Sequence, residues 1–157
     1  MIVTWQRDSG IASYDDVKLQ IISNVRNELN GYRKLTENVV YTENEDGSQG
    51  VAYMPRRFPL GKFKIVAVLP KTNPYEAPEF ISTDACQEVE EWTVVDGHYG
   101  EATGNMVMDY GYGLHNSTSN TTLGCGHIIQ VADRAALTAV LIPLLNSNEE
   151  CYLEVIA

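Results

Sequence analysis

The sequence lacks several features that mark whole classes of protein. No apolar run is long enough to cross a membrane, and no basic segment followed by an apolar stretch opens the chain, so we expect neither membrane insertion nor a secretory signal. Basic residues are scarce, with 11 Lys and Arg against 21 Asp and Glu. A net charge of -10 argues against nucleic-acid binding, which depends on Lys and Arg contacts with phosphates. Because no secretory signal is visible, we expect a protein that is cytoplasmic in the producing cell or associated with a phage virion.

Cysteine is also scarce. The three cysteines, Cys86, Cys125 and Cys151, are odd in number and have no paired spacing, which argues against a disulfide framework or a zinc knuckle. We therefore expect reduced thiols. The chain has no internal repeats and no low-complexity linker. Its 157 residues, 44% of them hydrophobic, are enough for a single domain over residues 1–157.

Apolar spacing predicts two helices. In residues 13–31 apolar side chains recur every four positions, after a capping-box start at Ser13 and before a stop at Gly31. The second predicted helix covers residues 133–145, and Pro143 should kink or shorten its last turn. Within the single domain, residues 1–49 therefore hold an N-terminal helix and the start of a hairpin.

Strand patterns account for most of the remaining chain. Residues 70–80 are an exception, because three prolines exclude a regular helix or a central strand there. Residues 39–42 and 50–54 should pair as a hairpin across a charged turn. Together the patterns predict a mostly β, α+β domain with two α-helices. The predicted strands cover residues 39–42, 50–54, 63–69, 106–115, 128–131 and 151–156.

The strand at 106–115 ends in a histidine, and a cysteine follows ten positions later. A thiol is mostly protonated at neutral pH, and an adjacent imidazole can take its proton, so His115 and Cys125 are candidates for a base and a nucleophile. Gly111 and Gly113 precede the histidine on one face of the strand. They either leave open space for a peptide beside the ring or mark a bulge or tight packing.

The residues around this pair suggest supporting roles. Gly124 permits a bend that aims its own N–H and that of Cys125 at one point, as an oxyanion hole requires. Thr122 is placed to brace that bend with its hydroxyl. An extended strand would put Asp109 about 20 Å from the histidine, so Asn116 or a main-chain carbonyl is the expected partner of the ring.

These residues occur in the order typical of the catalytic domain of L,D-transpeptidases, which the sequence resembles from residue 50 to its end. The chain is similar in particular to small phage and bacterial relatives with a histidine, an Asn/Thr-rich loop and a T-x-G-C ending. The resemblance implies a β-sandwich or mixed sheet of the L,D-transpeptidase type. The matching segments are residues 59–63, 112–116, 122–125, 132–137 and 152–156.

The resemblance also implies a reaction. It is cysteine-dependent acyl transfer, by a transpeptidase or a peptidase/amidase, on peptidoglycan-like peptides. Cys125 would form a thioester with an acyl donor such as a wall tetrapeptide, and His115 would act as base and then acid. The N–H groups of Gly124 and Cys125 would bind the oxyanion. The expected partner is a peptide substrate, with no cofactor and no metal.

Two departures from the family pattern favour other readings. Leu123 replaces the histidine before Gly-Cys, and His127 replaces an arginine whose bidentate guanidinium would position a substrate carboxylate. These changes favour a catalytically inactive binding or structural module, such as a phage component. A third reading is a metal site made by His115, Cys125 and His127, joined by His98, but one cysteine and scattered histidines are weak evidence for zinc.

Overall fold

The described part of the chain is rich in strands and contains one helix. The computed structural model describes residues 1–23, 28–29, 32–33, 38–70, 79–116 and 124–157. In chain order the strands are β1 (Ile2–Gln6), β2 (Ile11–Tyr14), β3 (Val17–Ile22), β4 (Glu28–Leu29), β5 (Tyr32–Arg33), β6 (Val40–Glu43), β7 (Gln49–Tyr53), β8 (Gly61–Pro70), β9 (Glu79–Thr83), β10 (Gln87–Val95), β11 (His98–Asp109), β12 (Gly113–His115), β13 (Gly126–Ile128) and β14 (Cys151–Ile156). Helix α1 (Val131–Asn146) lies between β13 and β14. No helix in these ranges has the length and apolar character needed to cross a membrane.

Eight of the strands close into a barrel, in the order β1-β14-β8-β9-β12-β13-β3-β2. β1 runs parallel to β14, β12 runs parallel to β13, and the other neighbouring strands are antiparallel. A four-stranded sheet has the order β11-β10-β7-β6, and β4 pairs with β5. The barrel is closed by the pairing of the first strand with the last, with Ile2 opposite Tyr152.

Inward-facing side chains fill the barrel, because side chains alternate between the two faces of each strand. Val3 and Trp5 on β1 are fully buried, and the indole N–H of Trp5 donates to the main-chain oxygen of Ile21 at 2.9 Å. Leu137 and Leu141 of α1 join the same core. Burying each such side chain stabilises the fold by about 1.5–3 kcal/mol. Other fully buried side chains are Phe58, Ile65, Ile81, Leu114, Ile128 and Leu153.

The predicted fold class is wrong. We expected an α+β domain with two helices, arranged as an L,D-transpeptidase-like sandwich or mixed sheet. The structure is 57% strand and has one helix among its described residues, and its main sheet closes on itself. Closure depends on pairing between strands that are far apart in the sequence, which local patterns do not reveal.

The helix predicted over residues 13–31 is the main error. Strands β2 and β3 occupy its first half and form a hairpin through a two-residue turn, where Asp15 has a φ of 48°. A spacing of four is also a multiple of two, so Val17 and Ile21 fit one face of a strand as well as one face of a helix. The β-branched side chains of β3 favour the strand. Residues 24–27 and 30–31 of the predicted helix lie outside the described residues.

Several other elements are confirmed. The hairpin predicted from 39–42 and 50–54 is β6–β7, and the strands predicted at 63–69 and 151–156 lie within β8 and β14. The second predicted helix is α1, which begins two residues before the expected Asp133 and continues past Pro143. The strand predicted at 128–131 overlaps β13 only at Ile128.

The strand predicted over 106–115 is two strands in two different sheets. β11 ends at Asp109 in the four-stranded sheet, and β12 begins at Gly113 in the barrel. Between them Gly111 has a φ of 83°, which breaks the extended conformation. The chain thus passes from the sheet to the barrel immediately before the histidine of interest.

Candidate functional site

His115 is the last residue of β12, beside β13 in the barrel wall. In this parallel pair Leu114 is opposite Gly126, and His115 is opposite His127. Leu114 is fully buried in the barrel core, and side chains alternate along a strand, so the two histidines lie side by side on the outer face. Both are nevertheless buried, with 7% and 4% of their surface exposed. The pairing therefore places a second imidazole beside the predicted base.

A main-chain carbonyl orients the ring of His115. Its Nδ1 lies 2.8 Å from the main-chain oxygen of Asn116. A carbonyl oxygen only accepts hydrogen bonds, so in the neutral ring this contact requires the proton on Nδ1 and places the lone pair on Nε2. The expected ring partner, Asn116 or a main-chain carbonyl, is thus confirmed. The ring of Phe80 packs against the imidazole, with centroids 5.8 Å apart.

The side chain of Asn116 is fixed by two further hydrogen bonds. Its Nδ2 donates to the main-chain oxygen of Ile128 on β13. Its Oδ1 accepts from Nε of Arg134 on α1 at 2.7 Å. Asn116 is buried, so these bonds form away from water, where they are stronger. The residue that orients the histidine is therefore anchored to both β13 and α1.

The bend predicted before the cysteine is present. Gly124 has a φ of 117°, a conformation that favours glycine. A Cβ at this position would lie 2.7 Å from the main-chain oxygen of Arg56 and 2.8 Å from Cε1 of Tyr112. The hydroxyl of Ser23 donates to the carbonyl of Gly124 at 2.9 Å. Ser23 therefore stabilises the backbone immediately before Cys125.

Cys125 is half-buried, and its Sγ lies 3.8 Å from the main-chain oxygen of Gly111. Cys125 directly precedes β13, whose pairing with β12 puts Gly126 opposite Leu114 and His127 opposite His115. The structure thus brings four of the five predicted site residues to this strand pair. The fifth, Thr122, lies outside the described residues.

The space beside the predicted base is filled. A Cβ on Gly113 would overlap the ring of Phe80 and the main-chain oxygen of Ile81. A Cβ on Gly111 would overlap the carboxylate of Glu43. Of the two readings of these glycines, the open hollow for a peptide is wrong and tight packing is confirmed.

A cavity of about 400 Å³ has Gly111 in its lining, but not Cys125. Gly111 lines this cavity, and its main-chain oxygen is the atom that Sγ of Cys125 contacts. The acidic lining favours cationic over anionic groups in this space. The acidic residues that line it are Glu43, Glu45, Asp46 and Asp84.

A buried polar cluster lies near Cys125, where the barrel meets the four-stranded sheet. The carboxylate of Asp109 accepts hydrogen bonds from the hydroxyl of Tyr112 at 2.7 Å and from that of Tyr53. It also accepts from the main-chain N–H of Glu43 at 2.9 Å. Burial raises the pKa of Asp109 although these bonds lower it. Because two hydroxyls and an amide hold the carboxylate, Asp109 does not orient the candidate base.

Cys125 also interacts electrostatically with this cluster. Burial is the main cause that raises the pKa of Tyr53, and the charge of Asp109 adds to it. The charge of Cys125 also raises the pKa of Tyr53, so sulfur and phenol interact. Burial and the charge of Asp109 likewise raise the pKa of Tyr112. Both phenols therefore stay neutral and serve as hydrogen-bond donors.

The metal reading finds no support among the described residues. They contain no group of three His, Cys, Asp or Glu side chains arranged to hold a metal ion. His98 begins β11 in the four-stranded sheet, whereas His115 and His127 belong to the barrel. Burial lowers the pKa of His127, and the charge of His115 lowers it further, against a main-chain hydrogen bond that raises it. We therefore describe His127 as a neutral neighbour of His115.

Arg134 and Glu79 were not among the site residues predicted from the sequence. Arg134 is buried, donates from Nε to Asn116, and pairs through Nη1 with Oε1 of Glu79 on β9. Its position held the signal, because it precedes Leu137 and Leu141 by three and seven residues on the buried face of α1. A charged residue at an apolar position of a helix predicts a buried partner.

Comparison of the chain with protein-family models, with curated proteins and with solved structures gave no match.

Proposed function

We propose that this chain catalyses cysteine-dependent acyl transfer, as a transpeptidase or as a peptidase/amidase, on peptidoglycan-like peptides. Cys125 is the nucleophile and His115 is the base. The observation that carries the proposal is the 2.8 Å contact between Nδ1 of His115 and the main-chain oxygen of Asn116. This contact puts the basic lone pair on Nε2, in a ring fixed next to the strand that follows Cys125.

The reaction proceeds through a thioester. Nε2 of His115 takes the thiol proton of Cys125, and the sulfur attacks the carbonyl carbon of the donor peptide to form a C–S bond. As the C–N bond of the donor breaks, the imidazolium gives its proton to the leaving amine. An acceptor amine or a water molecule then attacks the thioester, its proton passes to the imidazole, and the thiolate departs. No cofactor takes part.

The negative oxygen of each tetrahedral intermediate needs preorganised donors. We assign this role to the N–H groups of Gly124 and Cys125, at the bend where Gly124 has a φ of 117°. Ser23 holds this bend through its bond to the carbonyl of Gly124. The role of Thr122 as a brace of this bend stays a prediction from the sequence.

Substrate recognition in this proposal differs from that of the L,D-transpeptidases. His127 occupies the position of their arginine. Arg134 does not replace that arginine, because its guanidinium is buried and bonded to Glu79 and Asn116. Arg134 is therefore not available to clamp a terminal carboxylate of the donor peptide. The acidic cavity beside Gly111 suits the cationic amine groups of such peptides.

The second candidate function is a catalytically inactive binding or structural module, such as a phage component. One observation favours it. The candidate base is only 7% exposed, whereas a base that exchanges protons with an incoming substrate has to be reached by it. This module would keep the buried network around Asn116 for stability alone.

Mass spectrometry of the acyl adduct separates the two functions. Wild type and Cys125→Ala are incubated with purified peptidoglycan and a tetrapeptide donor, and the peptide containing residue 125 is analysed for a thioester. We expect the adduct in the wild type, and also in the controls Cys86→Ala and Cys151→Ala. Absence of the adduct, with identical products from wild type and Cys125→Ala, would contradict the enzyme and favour the module.

A further inference from the structure

A charged network buried between α1 and the barrel ends at the candidate base. Arg134, near the start of α1, is 4% exposed. It pairs with Glu79 on β9 and donates to Asn116 beside β12. Thr138, one turn further along α1, donates to the same carboxylate oxygen of Glu79 at 3.1 Å. Helix, β9 and the end of β12 are thus joined by polar contacts, which are buried at Arg134 and Asn116 and partly exposed at Glu79.

The planar geometry of the Arg134 guanidinium fixes the direction of its hydrogen bond to Asn116. A buried guanidinium is costly unless its charge is balanced and its donors are satisfied. Glu79 balances the charge, while Nε is used for the neutral Oδ1 of Asn116 at 2.7 Å. The guanidinium is planar and its donors have fixed directions, so the ion pair with Glu79 sets the angle at which Nε meets Asn116. A lysine in the same place would have no second donor in a fixed direction.

Only one residue separates this ion pair from the imidazole. The side chain of Asn116 is anchored at both ends, by the main-chain oxygen of Ile128 and by Nε of Arg134. Its main-chain oxygen is the atom that accepts from Nδ1 of His115. Holding the side chain at two points restricts the movement of Asn116 that would turn its carbonyl away from the ring.

We propose that Arg134 is a positioning residue for His115. By holding Asn116, it keeps the main-chain carbonyl on Nδ1, so that the proton stays on Nδ1 and the basic lone pair on Nε2. The role in catalysis rests on the proposed function of His115 as a base. Its structural part, the tautomer of the ring, can be measured without any activity.

Nuclear magnetic resonance of the full chain with ¹⁵N-labelled histidine tests this role. The chain has three histidines, and His98 in the four-stranded sheet is an internal control. Arg134→Lys keeps a positive charge near Glu79 but loses the bond to Asn116. We expect the ratio of the Nδ1–H to the Nε2–H tautomer of His115 to fall about tenfold, the effect of losing one hydrogen bond. The rate of thioester formation follows the fraction of the Nδ1–H form, so it should fall in the same direction but by a smaller factor.

A matched control separates positioning from general loosening of the helix. Leu137→Ala removes a buried side chain from the same face of α1, and should lower stability without changing the tautomer ratio. Glu79→Gln, a milder change, should shift the ratio in the same direction as Arg134→Lys. A wild-type ratio in Arg134→Lys, or an equal shift in Leu137→Ala, would overturn the proposal. If Arg134→Lys shifts the tautomer ratio but the wild type forms no thioester, the proposed function is overturned and the positioning of His115 by Arg134 is not.

Discussion

Replacing His115 with glutamine should slow thioester formation on Cys125 about a thousandfold, within the range of about 10²–10⁴ that general acid–base catalysis contributes. Glutamine keeps polar groups of similar size but has no basic nitrogen to take the thiol proton. The burial of the ring and its 2.8 Å contact with Asn116 fix its orientation, so in our proposal His115 is a base held in one position. Single-turnover rates with the same donor peptide measure the effect.

The neighbouring histidine provides the control. His127 is opposite His115 in the β12–β13 pair and is equally buried, but in our proposal it does not touch the reacting atoms. His127→Gln should therefore reduce the rate by less than about tenfold. A large loss in His127→Gln together with near-normal activity in His115→Gln would mean that His127, and not His115, is the base.

The substitution Gly124→Ala should lower the free energy of unfolding by about 3–5 kcal/mol, from backbone strain and overpacking together. The φ of 117° is unfavourable for any residue with a Cβ. The new Cβ would also lie 2.7 Å from the main-chain oxygen of Arg56 and 2.8 Å from the ring of Tyr112. Neither neighbour can move easily, because the Arg56 atom belongs to the backbone and the ring of Tyr112 is buried against Phe58. Urea unfolding measures the loss.

Gly97→Ala is the matched control for this effect. Gly97 also has a positive φ, of 75°, but no heavy atom lies within 4 Å of a Cβ built there. We expect only the cost of the backbone conformation, about 1 kcal/mol. Equal losses at the two positions would show that the contacts with Arg56 and Tyr112 contribute nothing, and that the bend before Cys125 is less tightly held than we describe.

Local features of the fold were readable from the sequence. The alternation and turn residues of 39–54 predicted the β6–β7 hairpin, and the apolar stripe near the C-terminus predicted α1. Residues 13–31 were misread because a spacing of four satisfies both a helix and a strand. In the structure Asp15 and Asp16 form the turn between β2 and β3. Two acidic residues in a polar segment are also typical of the start of a helix, so the sequence does not distinguish the two.

The barrel itself was not readable. It closes by pairing Ile2 with Tyr152, across nearly the whole chain, and no local pattern specifies that contact. The strand predicted to run through to His115 is broken at Gly111, where a positive φ moves the chain from one sheet to the other. A glycine in a strand pattern allows such a break but does not require it.

The site was partly readable. A histidine and a Gly-Cys pair are chemically informative residues, and the expectation that a main-chain carbonyl orients the ring came from elementary imidazole chemistry. The open hollow beside Gly113 was wrong because Phe80, from a distant part of the sequence, fills that space. The contact between Arg134 and Asn116 depends on where α1 packs, so the sequence held only the hint of a charge on the apolar face.

Competitive alkylation within one protein is the most direct test of the central claim, that an imidazole and a thiol share a proton. Cys86 is the internal reference, since it is half-buried like Cys125, and burial together with the charges of Asp84 and Glu45 raises the pKa of its thiol. With limiting iodoacetamide at pH 7, we expect Cys125 to react at least about tenfold faster than Cys86. His115→Gln should remove most of that difference. Equal rates in the wild type, or a preference for Cys125 that survives in His115→Gln, would contradict the claim.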